Sequence, residues 1–188
     1  IKKIDWEYLK QYFTGRISLF RYYQNIFIKQ FGAECQGKVL EIGADKSYSY
    51  NNYFPKAKEY LYTNITGDFD LIVDATNMFS IPDSSVDVIV CISVLEHIFE
   101  HEKAINEIER VLKPGGKLIL TIPFGFPYHD EVDYWRFSKD YFTIAMEKFI
   151  LHTVTNMGGR LSTIVNTLQR PCGKLTLRYF FYKLIGFI

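Results

Sequence analysis

The sequence predicts an α/β fold, a doubly wound and mainly parallel sheet with helices on both faces, and three stretches carry that expectation. Val39-Leu40-Glu41-Ile42-Gly43-Ala44-Asp45 is an apolar run ending in an acid and a glycine, as where a buried strand turns into a loop. Residues 85–97 hold a second apolar run, 86–92, with a polar edge after it. Residues 110–123 read as a helix end, a Pro114-Gly115-Gly116 turn and another buried strand.

In chain order, residues 5–31 are rich in aromatics with scattered bases and read as helices, after which Gly32 and Gly37 punctuate the approach to the sheet. Strands are expected over 38–42, 60–65, 71–73, 86–92 and 117–122, because near-continuous apolar runs mark strands buried on both faces. Ala104, Ile105, Ile108, Val111 and Leu112 follow helical spacing over 101–112, and Pro114-Gly115-Gly116 closes that helix. Ser138 caps a further helix with Phe142, Ala145, Met146 and Phe149 on one stripe. Residues 150–155 are β-branched enough for a sixth strand, and Leu161, Ile164, Val165 and Leu168 fit a helix after Gly158-Gly159. The expected layout is one domain: a helical segment over 1–37 packing on the core, a cofactor-binding body over 38–170, and an apolar C-terminal helix over 171–188.

A chain of 188 residues suits one domain that buries roughly 70% of its unfolded surface. A hydrophobic content of 48% with 23% charge is globular. The net charge of +1 supplies no broad footprint for nucleic acid, so none is expected as a partner. Cys35, Cys91 and Cys172 are far apart and lack metal-ligand spacing; they read as reduced thiols of a cytoplasmic protein, and no metal is expected. No signal peptide is visible, and a chain beginning at Ile1 without a methionine implies a native start upstream. Residues 175–188 carry only Arg178 and Lys183 as charges, and as a helix would reach roughly 21 Å, short of a membrane core. Two readings of that segment stand: a helix packed on the domain, or peripheral contact with the inner face of a membrane. Oligomeric state is not legible.

Taken together in this order, the three stretches resemble the class I S-adenosylmethionine-dependent methyltransferases, in particular the methyltransferase type 11 group. The resemblance runs from about residue 38 to 149, and Leu95-Glu96-His97 and Leu112-Lys113-Pro114-Gly115-Gly116 are its most specific parts. It implies a Rossmann-like sheet, S-adenosyl-L-methionine as cofactor, and methyl transfer as the reaction. It places Glu41, Gly43, Ala44 and Asp45 around the methionyl end, Asn64 at the ribose, Asp74 and Ala75 at the adenine, and Ser93 and Val94 beneath the methionyl part. His97 then lines or caps the pocket, while His101 is expected in solvent.

The first motif departs from the usual glycine-rich pattern, because Asp45 and Ser47 stand where further glycines are common, and Asn64 replaces an acid. That leaves open a catalytically inactive cofactor-binding scaffold. It also counts against an NAD(P)-dependent oxidoreductase, since an Asp at this turn would repel a pyrophosphate.

Residues 123–137 gather aromatics, carboxylates and a histidine on one loop. His129 has the chemistry of a general base, and Asp133 is placed to orient it if the loop is helical. Tyr128, Tyr134 and Trp135 offer rings to stack on a sugar, and Arg136 offers a cation for a carboxylate or phosphate. The competing reading makes Trp135 and Phe137 packing residues, pairs Arg136 with Asp133 and leaves His129 as an exposed loop histidine. The run His129-Asp130 followed by Asp133-Tyr134-Trp135-Arg136-Phe137 is similar to methyltransferases of cell-surface polysaccharide and glycolipid biosynthesis. That likeness implies a small-molecule or glycan acceptor methylated on oxygen or nitrogen.

Overall fold

The computed structural model describes residues 6–14, 16–150 and 152–169, so the C-terminal helix expected over 171–188 and Cys172 lie outside the described residues. The described chain divides into two compact units.

The larger unit, residues 28–123 and 129–137, holds the sheet. Its strands are β1 (Gln36–Ile42), β2 (Lys56–Asn64), β3 (Leu71–Ile72), β4 (Val86–Ile92) and β5 (Leu112–Thr121). Every pairing is parallel, in the order β3-β2-β1-β4-β5. The adjacent strands β1 and β4 are the two most buried: β1 is buried from Val39 to Ile42, and β4 is buried at every position but Asp87. Strand order reverses between β1 and β4, which makes the crevice beyond their carboxyl ends the place where such sheets bind ligands.

Helix His101–Val111, the β4-to-β5 crossover, turns Ala104, Ile105, Ile108 and Val111 inward. Its Arg110 ties down the loop before β4: the guanidinium donates to both Glu107 oxygens at 2.8 Å, to Met78 O at 2.9 Å and to Ile81 O at 3.0 Å. At the amino end of the sheet, Asp87 accepts the Lys38 N–H and the Lys113 ammonium, each at 2.8 Å.

Three expectations need correction. The helix ends at Val111 without a glycine cap, and Leu112 already pairs with Val86, so Pro114-Gly115-Gly116 lies inside β5 as an irregularity. Pro114 drives Lys113 to extended backbone, which ends the helix early. Residues 150 and 152–155 form no strand: Ile150 is 93% exposed, and a strand with no buried face has nothing to hold it. Strand β2 begins four residues earlier than its apolar run, because Lys56 and Ala57 pair with Gln36 and Gly37 and Lys38 bonds Glu59 at 3.3 Å. Between β1 and β2 the described residues contain only the short turn Asn51–Tyr53, with no α-helix.

The smaller unit, residues 1–27, 124–128 and 138–188, contains helices Trp6–Phe13, Lys139–Ala145 and Arg160–Gln169 and most of Leu19–Gly32. Ser138 caps its helix by accepting the Tyr141 N–H at 3.2 Å. Phe142 and Met146 are buried as the stripe requires. In helix Arg160–Gln169 only Val165 of the described stripe is buried, whereas Leu161 and Ile164 are 44% and 53% exposed.

Candidate active site

Glu41, next to last in β1, is 3% exposed and accepts a 2.6 Å hydrogen bond from the Tyr60 hydroxyl. Burial pushes its carboxyl up to about 7; the Tyr60 bond opposes that rise and the nearby Asp45 charge adds to it. Gly43 follows in the left-handed region, at φ +68, and a Cβ there would sit 2.5 Å from Val94 Cγ2. Only glycine fits this turn, which brings bare β1 backbone against the end of β4. Asp45 Oδ1 then accepts the Ser47 N–H at 2.8 Å and its hydroxyl at 2.7 Å.

The end of β2 is stitched to this loop. Asn64 Nδ2 donates to Ala44 O at 2.9 Å, its Oδ1 accepts the Ile65 N–H at 2.7 Å, and its carbonyl accepts the Val73 N–H at 3.0 Å. After β3, Asp74 repeats the Asp45 arrangement: Oδ1 accepts the Thr76 N–H and hydroxyl, both at 2.8 Å. Ala75 is buried behind it. Ser93 ends β4 at φ +56, a left-handed position that a non-glycine residue rarely holds, with its N–H on Thr121 O at 2.8 Å. Glu41, Gly43, Asn64, Asp74, Ser93 and Val94 therefore lie at adjoining carboxyl ends of four neighbouring strands. Beside them a cleft of about 500 Å³ is lined by Asp45, Lys46, Ser49, Tyr62, Asp68, Phe69 and Asp70.

This donor set fits S-adenosylmethionine. It supplies carboxylates and an amide for hydroxyls, amines and a cation, and no described helix starts after β1 to hold a phosphate. The bare Gly43 backbone, which a Cβ could not replace, lies where the methionyl end would pass.

The second cluster centres on residues 96–97 and 129–136. Asp133 Oδ2 faces His129 Nδ1 at 2.9 Å and accepts the His129 N–H at 3.0 Å. The contact expected from a helix forms in an irregular loop instead. The Arg136 guanidinium clamps both oxygens of Asp133 and holds its carboxyl well below the usual range. Arg136 also donates to Trp135 O at 2.7 Å, so this cation is committed within the loop. His97 Nδ1 meets Val132 O, and its ring lies 4.9 Å edge-on from that of His129. Tyr134 is 53% exposed, while Trp135 donates from Nε1 to Ile98 O at 3.0 Å. Tyr128, 67% exposed, belongs to the smaller unit. His101 corrects its expectation of solvent. It is 8% exposed, its ring 4.9 Å from Trp135 and 4.8 Å from Phe137, because the first turn of its helix points toward those aromatics.

Sequence reasoning missed Glu96. It is fully buried, neither carboxylate oxygen has a hydrogen-bond partner among the described residues, and burial pushes it up to about 8. The signal was present in Leu95-Glu96-His97, an acid in the short turn just beyond the buried strand β4, but only the histidine was read as part of a site.

Fold and strand-end geometry point to one class. Residues 39–120 match the family model described as a methyltransferase domain. That segment, 82 of the 188 residues, is similar to methyltransferase domains that use S-adenosyl-L-methionine. Over 66 residues the chain is 35% identical to a thiol S-methyltransferase of Rattus norvegicus, covering 35% of this chain and 27% of that protein. Over 43 residues it is 42% identical to a probable S-adenosylmethionine-dependent methyltransferase of Mycolicibacterium smegmatis, covering 23% and 17%. The chain thus spans about a quarter or less of the curated relatives it matches. In fold it is similar to a SAM dependent methyltransferase from Archaeoglobus fulgidus, with a TM-score of 0.58 at 13% identity over 97% of this chain and 90% of that one. A putative methyltransferase from Bacillus halodurans gives 0.55 at 18% identity over 66% and 67%. Among the described residues, no helix is long and apolar enough to cross a membrane.

Proposed function

We propose that this protein transfers a methyl group from S-adenosylmethionine to an oxygen or nitrogen of a small molecule or glycan. The observation that carries the reading is the convergence of Glu41, Gly43, Asn64 and Asp74 at neighbouring strand ends, in a segment that matches a methyltransferase domain. The bound cofactor supplies an electrophilic methyl on a sulfonium. Glu41 takes the cationic amino end, Gly43, Ala44 and Asp45 line the methionyl chain, Asn64 meets the ribose, and Asp74 and Ala75 meet the adenine. Ser93 and Val94 close the methionyl part from beneath, with His97 at the rim.

On the acceptor side the pair His129–Asp133 takes the acceptor's proton, since a neutral imidazole with Nδ1–H on a carboxylate presents Nε2 as a base. The exposed ring of Tyr134, with Trp135, supplies stacking surface of the kind sugars use. Arg136 serves the acceptor through Asp133. The likeness of the His129–Phe137 run to polysaccharide and glycolipid methyltransferases supports a sugar intermediate handled in the cytoplasm. Named acceptors among curated relatives are a thiol and, for a ubiquinone/menaquinone C-methyltransferase 32% identical over 66 residues, a carbon, so the test must not presume the atom.

Calorimetry with S-adenosylhomocysteine should give one site, weakened about tenfold by Asp74→Ala. Incubation with methyl-labelled cofactor and nucleotide-linked or lipid-linked sugars should label product with the wild type. No binding heat from cofactor or product overturns the reading.

A further inference from the structure

The cluster at the end of β4 has more ligand chemistry than methyl transfer uses. Glu96 is a fully buried carboxylate with neither oxygen hydrogen-bonded among the described residues, a state that costs several kcal/mol unless a cation or a proton compensates it. Two imidazoles face it, and the ligand atoms of Glu96, His97 and His129 all lie within 4.8 Å of one another. His97 Nε2 is 3.7 Å from Glu96 Oε1 and 3.6 Å from Asp130 Oδ2, and His129 Nε2 is 3.7 Å from the same Asp130 oxygen. Ligands at 2.0–2.2 Å around a tetrahedral ion are spaced about 3.4 Å apart, so the 3.6 and 3.7 Å pairs are within a few tenths of an ångström of that spacing, while the Glu96, His97 and His129 atoms as a set, within 4.8 Å, must draw in around an ion.

The outer contacts settle which nitrogens face inward. His97 Nδ1 meets the Val132 carbonyl, which can only accept, so Nδ1 carries a proton, and in the neutral ring that a metal requires Nε2 holds the lone pair. His129 Nδ1 meets the Asp133 carboxylate with the same consequence, and Arg136 fixes that carboxylate. Histidine ligands of metals are regularly oriented through their other nitrogen by a carbonyl or carboxylate. Asp130, held at φ +62, brings its carboxylate to both Nε2 atoms.

We propose that Glu96, His97 and His129 form a site for a divalent transition-metal ion of the zinc type, with the Asp130 carboxylate beside both Nε2 atoms; two imidazoles and a carboxylate suit zinc, iron or nickel over magnesium or calcium. The inference rests on this geometry and not on the methyl-transfer reading. In the loaded protein Nε2 of His129 is a ligand and takes no proton, so base and ligand are alternative uses of one atom.

The test is titration of chelator-stripped protein with zinc chloride in a calorimeter, with cobalt(II) as an optical probe. One equivalent of zinc should bind, raise the melting temperature and give the intense visible bands of tetrahedral cobalt. Glu96→Gln and His129→Ala should each weaken zinc by about 100-fold, and Asp133→Asn by about tenfold or more through the second shell. Each variant is also titrated with S-adenosylhomocysteine: retained binding shows that the fold survives, and keeps failure here distinct from failure of the cofactor reading. The proposal is overturned if wild type takes up no stoichiometric zinc or cobalt, or if Glu96→Gln and His129→Ala, folded by that criterion, bind zinc as the wild type does.

Discussion

Asp133 holds His129 twice, at Nδ1 through Oδ2 at 2.9 Å and at the backbone N–H through the same oxygen at 3.0 Å. One carboxylate therefore sets both the position and the tautomer of that ring, and Arg136 sets the carboxylate. Asp133→Asn removes the charge and leaves the guanidinium without its partner. Turnover on any acceptor the wild type methylates should fall about 100-fold, while S-adenosylhomocysteine affinity stays within about twofold. Stability to urea should drop about 1–3 kcal/mol. An unchanged turnover rate removes the pair from proton transfer.

Glu41 makes the pH dependence of the ligand-free protein specific. Its folded carboxyl is pushed up to about 7, above the ordinary glutamate value of about 4.5, so between these the folded state holds a proton that the unfolded state has lost. This contribution is complete below about pH 4.5, declines as pH rises, and is gone above about 7, a loss of about 3 kcal/mol. Urea midpoints measured from pH 5 to 8 should fall for wild type and change less for Glu41→Gln. Cofactor-product affinity should move the other way: the ionised carboxylate meets the amino cation, so binding tightens as pH rises through 7. A flat wild-type profile in both measurements contradicts the buried acid.

What the sequence disclosed follows from where burial is complete. β4 matches its expected span because almost every side chain in it is buried, so its apolar run ends where the strand ends. β2 was half legible because its first residues, Lys56, Lys58 and Glu59, are exposed on a strand held by backbone pairing with β1. Residues 150 and 152–155 carry strand-like side chains but pair with no strand among the described residues, and pairing is not a local property. At the site, Gly43 and Asp74 were readable from strand-end position. Glu96 was not, because its character comes from a loop 33 residues and more downstream closing over it. His101 was misjudged for the same reason: Trp135 and Phe137 make its environment.

Gly43 and Val94 are a steric pair. Gly43→Ala introduces a Cβ that overlaps the Val94 methyl and keeps a positive φ, costing about 1–2 kcal/mol for the backbone beyond the overlap. Val94→Ala in the same chain should relieve the overlap alone. A double-mutant cycle in urea should therefore show coupling of more than about 0.5 kcal/mol, with the double variant still less stable than Val94→Ala by the backbone share. Additive effects mean that the two residues do not touch.

The resemblance leads one to expect an acid at position 64, and the neighbours of Asn64 explain the amide. Nδ2 donates to the Ala44 carbonyl while Oδ1 accepts the Ile65 N–H, so the side chain must be donor and acceptor at once. Asn64→Asp keeps the second bond but sets a carboxylate oxygen against the Ala44 carbonyl 2.9 Å away. The β1 loop should loosen, with a loss of about 1–3 kcal/mol of stability in urea. The same loop carries Gly43 and Asp45, so S-adenosylhomocysteine affinity should fall, although the substitution installs a charge beside the proposed ribose position. Calorimetry decides it: tighter binding in Asn64→Asp than in wild type would mean that the ribose contact outweighs the bridge to Ala44.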